Sequence, residues 1–509
     1  VLYHDTHDRH FLDRIARAGR RVVIGRRTVL AGLAAGLAAP ACARPPATAS
    51  RPPARPPDGW PSPEALFAQA GLSGEAAFLV ADAATGELLE ARAPGRALPP
   101  ASVMKALTAL YALEAPGPGH RFATTLRAAG PVSGGVLRGD LILEGGGDPS
   151  LDTGALAGLA RALPAAGISR VDGRFLIDGA ALPAIPRIDP AQPVYAGYDP
   201  AVGGLNLNFN RVYFHWQRRG AGYEVGMAAQ DSRSPQVAMA RMRVASRAAP
   251  LYAYEGGDGI DSWSVAAGAL GAGGGRWLPV RHPDRYAGDV FRTLAAGQGV
   301  TLPAPRPGGN RGAAVIARHA SPPADALVLD MLKYSTNLTA EVMGLTGTAA
   351  RGRDARSLAA SAGAMADWLA RTHGTGRVRL VDHSGLGDAS RIAPQALVNA
   401  LATAGWQGRL RGLMKPVVLK DERGRRMADP PVAAVGKTGT LHFVTTLAGY
   451  AETAGGRRLV FAVLCADLDR RAALRPDQRD RPPGARSYAR AARGFQYRLL
   501  ERWGRVYGG

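Results

Sequence analysis

"ASVMKALTALYAL", residues 101–113, decides how the rest of the chain is read. Val103, Leu107 and Leu110 recur at helical spacing and give the segment an apolar face. "LPPA" immediately before Ser102 marks a helix start. The segment also carries a lysine, in a chain with only five (Lys105, Lys333, Lys415, Lys420, Lys437) among 63 basic residues. Ser102 and Lys105 stand three apart and so share one helical face. Ser102 falls in the first turn, where outward-pointing N–H groups favour developing negative charge. A serine is a poor nucleophile until something takes its proton. Arginine stays protonated and cannot take it. A lysine can, once burial or a neighbouring cation lowers its pKa. Alone the S-x-x-K pattern is weak, since chance supplies roughly 0.2 matches in a chain like this.

Two further patterns change its weight. "KYSTNLTAEVM" (333–343) contains Ser335-Thr336-Asn337, an S-x-N. "AAVGKTGTLHFVTTLAGY" (433–450) contains Lys437-Thr438-Gly439 within β-type sequence. All three in this order have a chance expectation of about 0.001. Together they resemble the active-site set of penicillin-binding proteins and serine β-lactamases. Ser335 follows Ser102 by 233 residues. Simple β-lactamases keep that interval to roughly sixty, so a large insertion separates the first two motifs. In this the chain is similar to the D-alanyl-D-alanine carboxypeptidase/endopeptidase family, the class C low-molecular-mass penicillin-binding proteins of the DacB type. "GDLILEGGGDPSL" (139–151), "VDGRFLIDGA" (171–180) and "VDHSGLGDASRIAP" (381–394) carry the same resemblance.

The resemblance implies an α+β fold, a helix–antiparallel sheet–helix catalytic domain of the serine β-lactamase/DD-peptidase kind. That domain would comprise residues 66–118 and 286–509, interrupted by a mostly β insertion at 119–285. It also implies roles. Ser102 would attack a D-Ala-D-Ala carbonyl with Lys105 as base. Ser335 would relay the proton to the leaving amine, and Asn337 would hold the substrate amide and orient Lys105. Lys437, Thr438 and Thr440 would bind the substrate carboxylate, with Lys437 also lowering the pKa of Lys105 by like-charge repulsion. The oxyanion would sit between the backbone N–H groups of Ser102 and Thr440. Gly439 would let a substrate backbone come close to its strand. Asp178 aligns with an acidic residue that can meet the amino end of the stem peptide's diamino acid. The family's aromatic about four residues later is Leu182 here. "GGGDPS" reads as a glycine turn, Asp382 and Ser384 as structural, and Lys333 as a helix-surface residue. No metal or cofactor is called for. The expected partners are peptidoglycan stem peptides and cross-links, with β-lactams as covalent inhibitors. A serine β-lactamase and a penicillin-binding sensor or scaffold without turnover remain the alternatives. The first would need a water-activating base, for which no separate Glu motif stands out.

At the other end of the chain, "IGRRTVLAGLAAGLAAPACA" (24–43) pairs Arg26-Arg27 with a mild apolar run and an A-x-A site at Ala41-Cys42-Ala43. It resembles a twin-arginine export signal. Ala39 and Pro40 fit a lipidation box at Cys42 poorly. His4, His7 and His10 stand three apart, as metal ligands can, but read as a leader that cleavage discards. Residues 44–65 read as an extended tether, with eight prolines in "RPPATASRPPARPPDGWPSP" (44–63). No other long apolar span occurs, so a soluble envelope protein without a transmembrane anchor is expected. The net charge of +22 falls to about +18 without residues 1–43, which suits an anionic cell-wall environment. No nucleic-acid-binding signature accompanies it. Two cysteines exclude a disulfide framework.

Overall fold

The structure, a computed structural model, describes residues 59–421, 423–475, 478–480 and 482–508. The arginine pair, Cys42, the three early histidines and residues 44–58 lie outside the described residues.

Three successive strands, Val432–Leu441, Val444–Thr453 and Arg458–Ala466, form an antiparallel meander. Glu75–Asp82 and Leu88–Arg92 extend it on one side, and the short strand Lys415–Val417 on the other. Val444–Thr453 and Arg458–Ala466 are buried along almost their whole length because both faces of the sheet are covered. One face receives the C-terminal helix Ala485–Val506 through Tyr488, Ala492, Phe495, Leu499 and Trp503, a helical stripe. The other receives helices Met104–Glu114, Asn337–Ala350 and Pro394–Ala404. This is the helix–antiparallel sheet–helix arrangement that the three motifs imply.

The C-terminal helix carries one arginine that does not face solvent. Arg502 is buried and forks onto Glu90, with Nη2 2.8 Å and Nε 3.0 Å from Oε1. Trp503 Nε1 donates to Glu90 Oε2 at 2.8 Å, and Arg502 Nη1 donates to the Pro61 carbonyl at 2.8 Å. The tether expected to reach residue 65 is therefore pinned at Pro61. Helix Pro63–Gln69 follows, capped by Ser62. A buried charge pair is costly to break by halves, because the remaining charge keeps its desolvation penalty. Arg502→Met is expected to destabilise the protein by about 3 kcal/mol. A lowered urea midpoint would show it, and Glu90→Gln in the same chain should recover part of the loss.

The insertion leaves and rejoins the catalytic body at one place. Phe122 N donates to Ser321 Oγ at 3.0 Å, and Ser321 N donates to the Phe122 carbonyl at 2.9 Å. Between them lies a five-stranded mixed sheet in the order Pro305–Pro307, Phe175–Asp178, Asp140–Gly145, Ala123–Ala129, Ala314–Ala320. Three three-stranded sheets accompany it. One is Gly222–Ala228, Arg211–Arg219, Gly273–Pro279; the second is Ala240–Ala245, Asp261–Ala266, Tyr252–Tyr254; the third, of two-residue strands, is Val132–Ser133, Val136–Leu137, Arg170–Val171. The insertion is β-rich, as expected, but strand pairing carries it to Ala320 rather than to 285. The helix Pro283–Ala296 explains the difference. Its apolar side, with Tyr286, Val290 and Phe291, packs in the insertion's own core, where Phe291 meets Phe175 at 5.6 Å.

Candidate active site

Ser102 lies in a single 3-10 turn, Ala101–Val103, that runs straight into helix Met104–Glu114. Ala101 has φ +46°, a left-handed value that a residue with a Cβ adopts at a cost. The turn is packed from two sides. At Gly385 an added Cβ would collide with the Ala101 carbonyl. At Gly439 it would collide with Thr446 Oγ1 and come within 2.7 Å of Ser102 N. The sequence suggested that Gly439 makes room for a substrate backbone. The crowding seen here is intramolecular: the Ser102 turn itself rests on the Lys437 strand, and only a glycine leaves it space.

One helical turn on, Lys105 is fully buried. Its Nζ lies 3.0 Å from Ser102 Oγ, 2.8 Å from Asn337 Oδ1 and 2.7 Å from the Ser384 carbonyl. A neutral amine has two N–H bonds and one lone pair. Asn337 Oδ1 and the Ser384 carbonyl can only accept, so they take the two N–H groups. The lone pair is left to face the Ser102 hydroxyl, which can donate. Burial pulls the Lys105 pKa down to about 7, while the nearby Glu341 and Asp382 pull it partly back. Glu341 is itself buried. Its two oxygens accept from Ser384 N and His383 N, each at 2.9 Å, which holds the backbone that leads into the Ser384 carbonyl. Asp382 accepts from Gly385 N at 2.8 Å and Gly387 N at 2.5 Å. Burial raises the Glu341 carboxyl to about 8 and that of Asp382 to about 6.

Ser335 occupies a single left-handed residue, φ +62°, between helix Ala324–Tyr334 and Thr336, the N-cap of helix Asn337–Ala350. This break turns Ser335 and Asn337 toward the same space. Lys437 Nζ donates to Ser335 Oγ at 3.0 Å and to the Thr438 carbonyl at 2.8 Å. Burial lowers the Lys437 pKa well below its ordinary value, and Lys105 and Lys415 lower it further. Thr438 is exposed and Thr440 half-buried on the same strand. Strand Lys415–Val417 pairs only with Ala434–Gly436. Among the described residues, the outer edge of the long strand from Lys437 to Leu441 has no strand partner.

Ser102, Lys105, Ser335, Asn337 and Lys437, from three distant segments, thus form two hydrogen-bonded groups, Ser102–Lys105–Asn337 and Ser335–Lys437. Asp178 is placed elsewhere. It ends strand Phe175–Asp178, accepts from Ala180 N at 2.9 Å and lies 3.5 Å from Arg311 Nε. Leu182 packs against the Gly147 turn. Lys333 is exposed, its ammonium 5.1 Å over the Tyr334 ring. "GGGDPS" is a turn in which Asp148 accepts from Ser150 N at 2.8 Å. Asp382 and Ser384, read as structural, support the site directly through the Lys105 contact. Glu341 was passed over, although an acid four residues after Asn337 in an apolar helix is a readable signal. The Tyr198 carbonyl, which accepts from Asn337 Nδ2 at 2.7 Å, leaves no trace in sequence.

The D-Ala-D-Ala carboxypeptidase 3 (S13) family matches residues 64–480. The chain belongs to this family. Among S13 relatives, the D-alanyl-D-alanine carboxypeptidase of Actinomadura sp. (strain R39) is 27% identical over 437 residues, covering 79% of each chain. Penicillin binding protein 4 (dacB) from Haemophilus influenzae shares the S13 chain's fold. Its TM-score is 0.67 at 20% identity, over 83% of this chain and 97% of that one. The same H. influenzae protein complexed with a β-lactam gives a TM-score of 0.65 at 20% identity, with the same coverage. Among the described residues no helix is long and apolar enough to cross a membrane.

Proposed function

We propose that this S13 carboxypeptidase is a serine DD-peptidase that hydrolyses both D-Ala-D-Ala termini and D-Ala–diamino acid cross-links of peptidoglycan. Lys105 Nζ takes the Ser102 proton as Oγ attacks the penultimate D-Ala carbonyl. The tetrahedral oxyanion is held by the N–H groups of Ser102 and Thr440. Ser335 relays the proton taken up by Lys105 to the departing amine, its own hydroxyl proton being replaced in the same step, and the amine leaves as D-alanine or as the freed end of a cross-link. Water then attacks the Ser102 ester and releases the shortened peptide. Lys437, Thr438 and Thr440 hold the terminal carboxylate. A bound carboxylate would also offset the repulsion that Lys437 meets from Lys105 and Lys415. A β-lactam acylates the same Ser102 and blocks it. Asp178, though tied to Arg311, stays a candidate contact for the stem's diamino acid. Residues 24–43 would direct the chain to the cell envelope by the twin-arginine route.

The observation that supports this reading most is the buried amine 3.0 Å from the Ser102 hydroxyl. Mass spectrometry of purified cross-linked muropeptides tests it: D-alanine should leave pentapeptides, and dimers should become monomers. Unchanged muropeptides would refute the peptidase, and rapid loss of a penicillin label would point to a β-lactamase.

The pH profile follows from Lys105. With its pKa at about 7, the amine is mostly protonated and inactive below that value and neutral above it. The rate constant of Ser102 acylation by penicillin should rise about tenfold per unit at low pH and level off above about 7. A rate that falls as pH rises through this range would contradict Lys105 as base.

A further inference from the structure

Asn337 meets two partners that could not exchange places. Lys105 Nζ must donate to Oδ1, and the Tyr198 carbonyl must accept from Nδ2. A flipped amide would set donor against donor and oxygen against oxygen. The Tyr198 carbonyl therefore selects the amide orientation that supports Lys105. Tyr198 does not belong to the catalytic body. It sits on a strap of the insertion, residues 185–202, closed by reciprocal hydrogen bonds between Ile185 and Val202 at 2.9 and 2.8 Å. Ile188 and Val202 of the strap are buried in the catalytic body's core.

A polar hub holds the strap's shape. Asp199 Oδ1 accepts from Ile188 N and Asp189 N, each at 2.9 Å, and Oδ2 accepts from Arg187 Nε at 2.8 Å. Arg281, just beyond strand Gly273–Pro279, is 6% exposed. Its Nη1 donates to the Asp199 carbonyl at 2.7 Å and the Pro186 carbonyl at 3.1 Å, and its Nη2 to the Val194 carbonyl at 2.6 Å. One rigid fork thus ties three points of the strap to the insertion, and one of them is the residue after Tyr198. A lysine cannot span three such acceptors with the same geometry.

We infer that Arg281 is a positioning residue of the reaction, and that through the strap and the Tyr198 carbonyl the insertion domain fixes the Asn337 amide against Lys105. The inference rests on the proposed role of Lys105 as base for Ser102. Asn337 Oδ1 stabilises the ammonium form of Lys105. A strap that shifts lets the amide turn, the ammonium loses an acceptor, and its pKa falls. The charges facing Lys105 are Glu341, Asp382 and Lys437; those around Arg281 are Asp199, Arg187, Asp261 and the Tyr254 hydroxyl. Deleting the Arg281 cation by itself would act in the other direction, making a distant amine slightly easier to protonate. The sign of the effect therefore separates geometry from charge.

The test is the pH dependence of Ser102 acylation by fluorescent penicillin in the full chain, for wild type, Arg281→Met, Arg281→Lys, Asn337→Ala and the Arg281→Met/Asn337→Ala pair. Arg281→Met should acylate about 10- to 100-fold more slowly. Its acid limb should lie about one pH unit lower than that of wild type. Arg281→Lys should fall between the two. In the Asn337→Ala background, removing Arg281 should change neither limb nor rate much further. A folded Arg281→Met with an unmoved or raised limb, or losses that simply add with Asn337→Ala, would overturn the inference. If Arg281→Met does not fold, Arg187→Met also removes a cation and loosens the same strap from inside, where Arg187 bonds Asp199 Oδ2 and the Gln192 carbonyl, and should move the limb the same way; an unmoved limb there overturns it equally. A wild type that is never acylated would instead remove the reading of Ser102 itself, and the inference with it.

Discussion

Ser102→Ala is expected to abolish labelling by fluorescent penicillin and to lower D-alanine release by at least about 10⁴-fold. No other hydroxyl has been assigned the nucleophile's role. Ser335 Oγ is engaged by Lys437 rather than by Lys105. The loss should be confined to chemistry. The substitution removes one oxygen and leaves the backbone of the 3-10 turn, including the Ala101 conformation, as it is. Lys105 keeps Asn337 Oδ1 and the Ser384 carbonyl. Removing a single neutral hydrogen bond shifts stability by about 1 kcal/mol at most, so thermal unfolding should change little while label vanishes. Mixed with purified muropeptides, the variant should leave them intact even on long incubation. Label retained by Ser102→Ala would move the nucleophile to another residue and undo the assignment of all three motifs.

What the sequence disclosed and what it hid divide along a physical line. The roles proposed for Ser102, Lys105, Ser335, Asn337 and Lys437 need side-chain functional groups, and only certain residue types supply a hydroxyl, an amine or an amide. Their identity and spacing were therefore readable. So was the apolar face of the helix that follows Ser102, with Val103 and Leu107, because burial on one face imposes a pattern on composition. Ser384 and Tyr198 act through their carbonyls, which any residue could provide at that point of the backbone. Arg281 acts on three carbonyls that lie near one another only after folding. The insertion's end at Ala320 rests on strand pairings, Pro305–Pro307 with Phe175–Ile177 and Ala314–Ala320 with Ala123–Ala128, that exist only in the folded chain. At Gly439 the contact that excludes a Cβ comes from the Ser102 turn, 337 residues earlier in the chain, and so has no local signature.

Lys105→Arg is the sharper test of mechanism, because it keeps the charge and removes only the capacity to lose it. If Lys105 served as a fixed cation that lowers the Ser102 pKa, arginine should retain much of the activity. If it serves as the base, a guanidinium with no lone pair cannot accept the hydroxyl proton, and acylation should fall by about 10²- to 10⁴-fold. The surroundings favour the second outcome. A permanent cation at full burial would call for firmly ionised carboxylates nearby. Burial instead pushes Glu341 up to about 8 and Asp382 up to about 6, toward their neutral forms. The site tolerates an amine that is neutral part of the time better than one that never is. Lys105→Met, which has neither charge nor base, should be about as slow as the arginine variant, and both should lose the acid limb near pH 7. Thermal unfolding of both variants separates this from misfolding, since a bulkier guanidinium must fit where Nζ now has three close partners. An arginine variant that is folded and acylates within tenfold of wild type would assign Lys105 to electrostatics and leave the Ser102 proton without an acceptor.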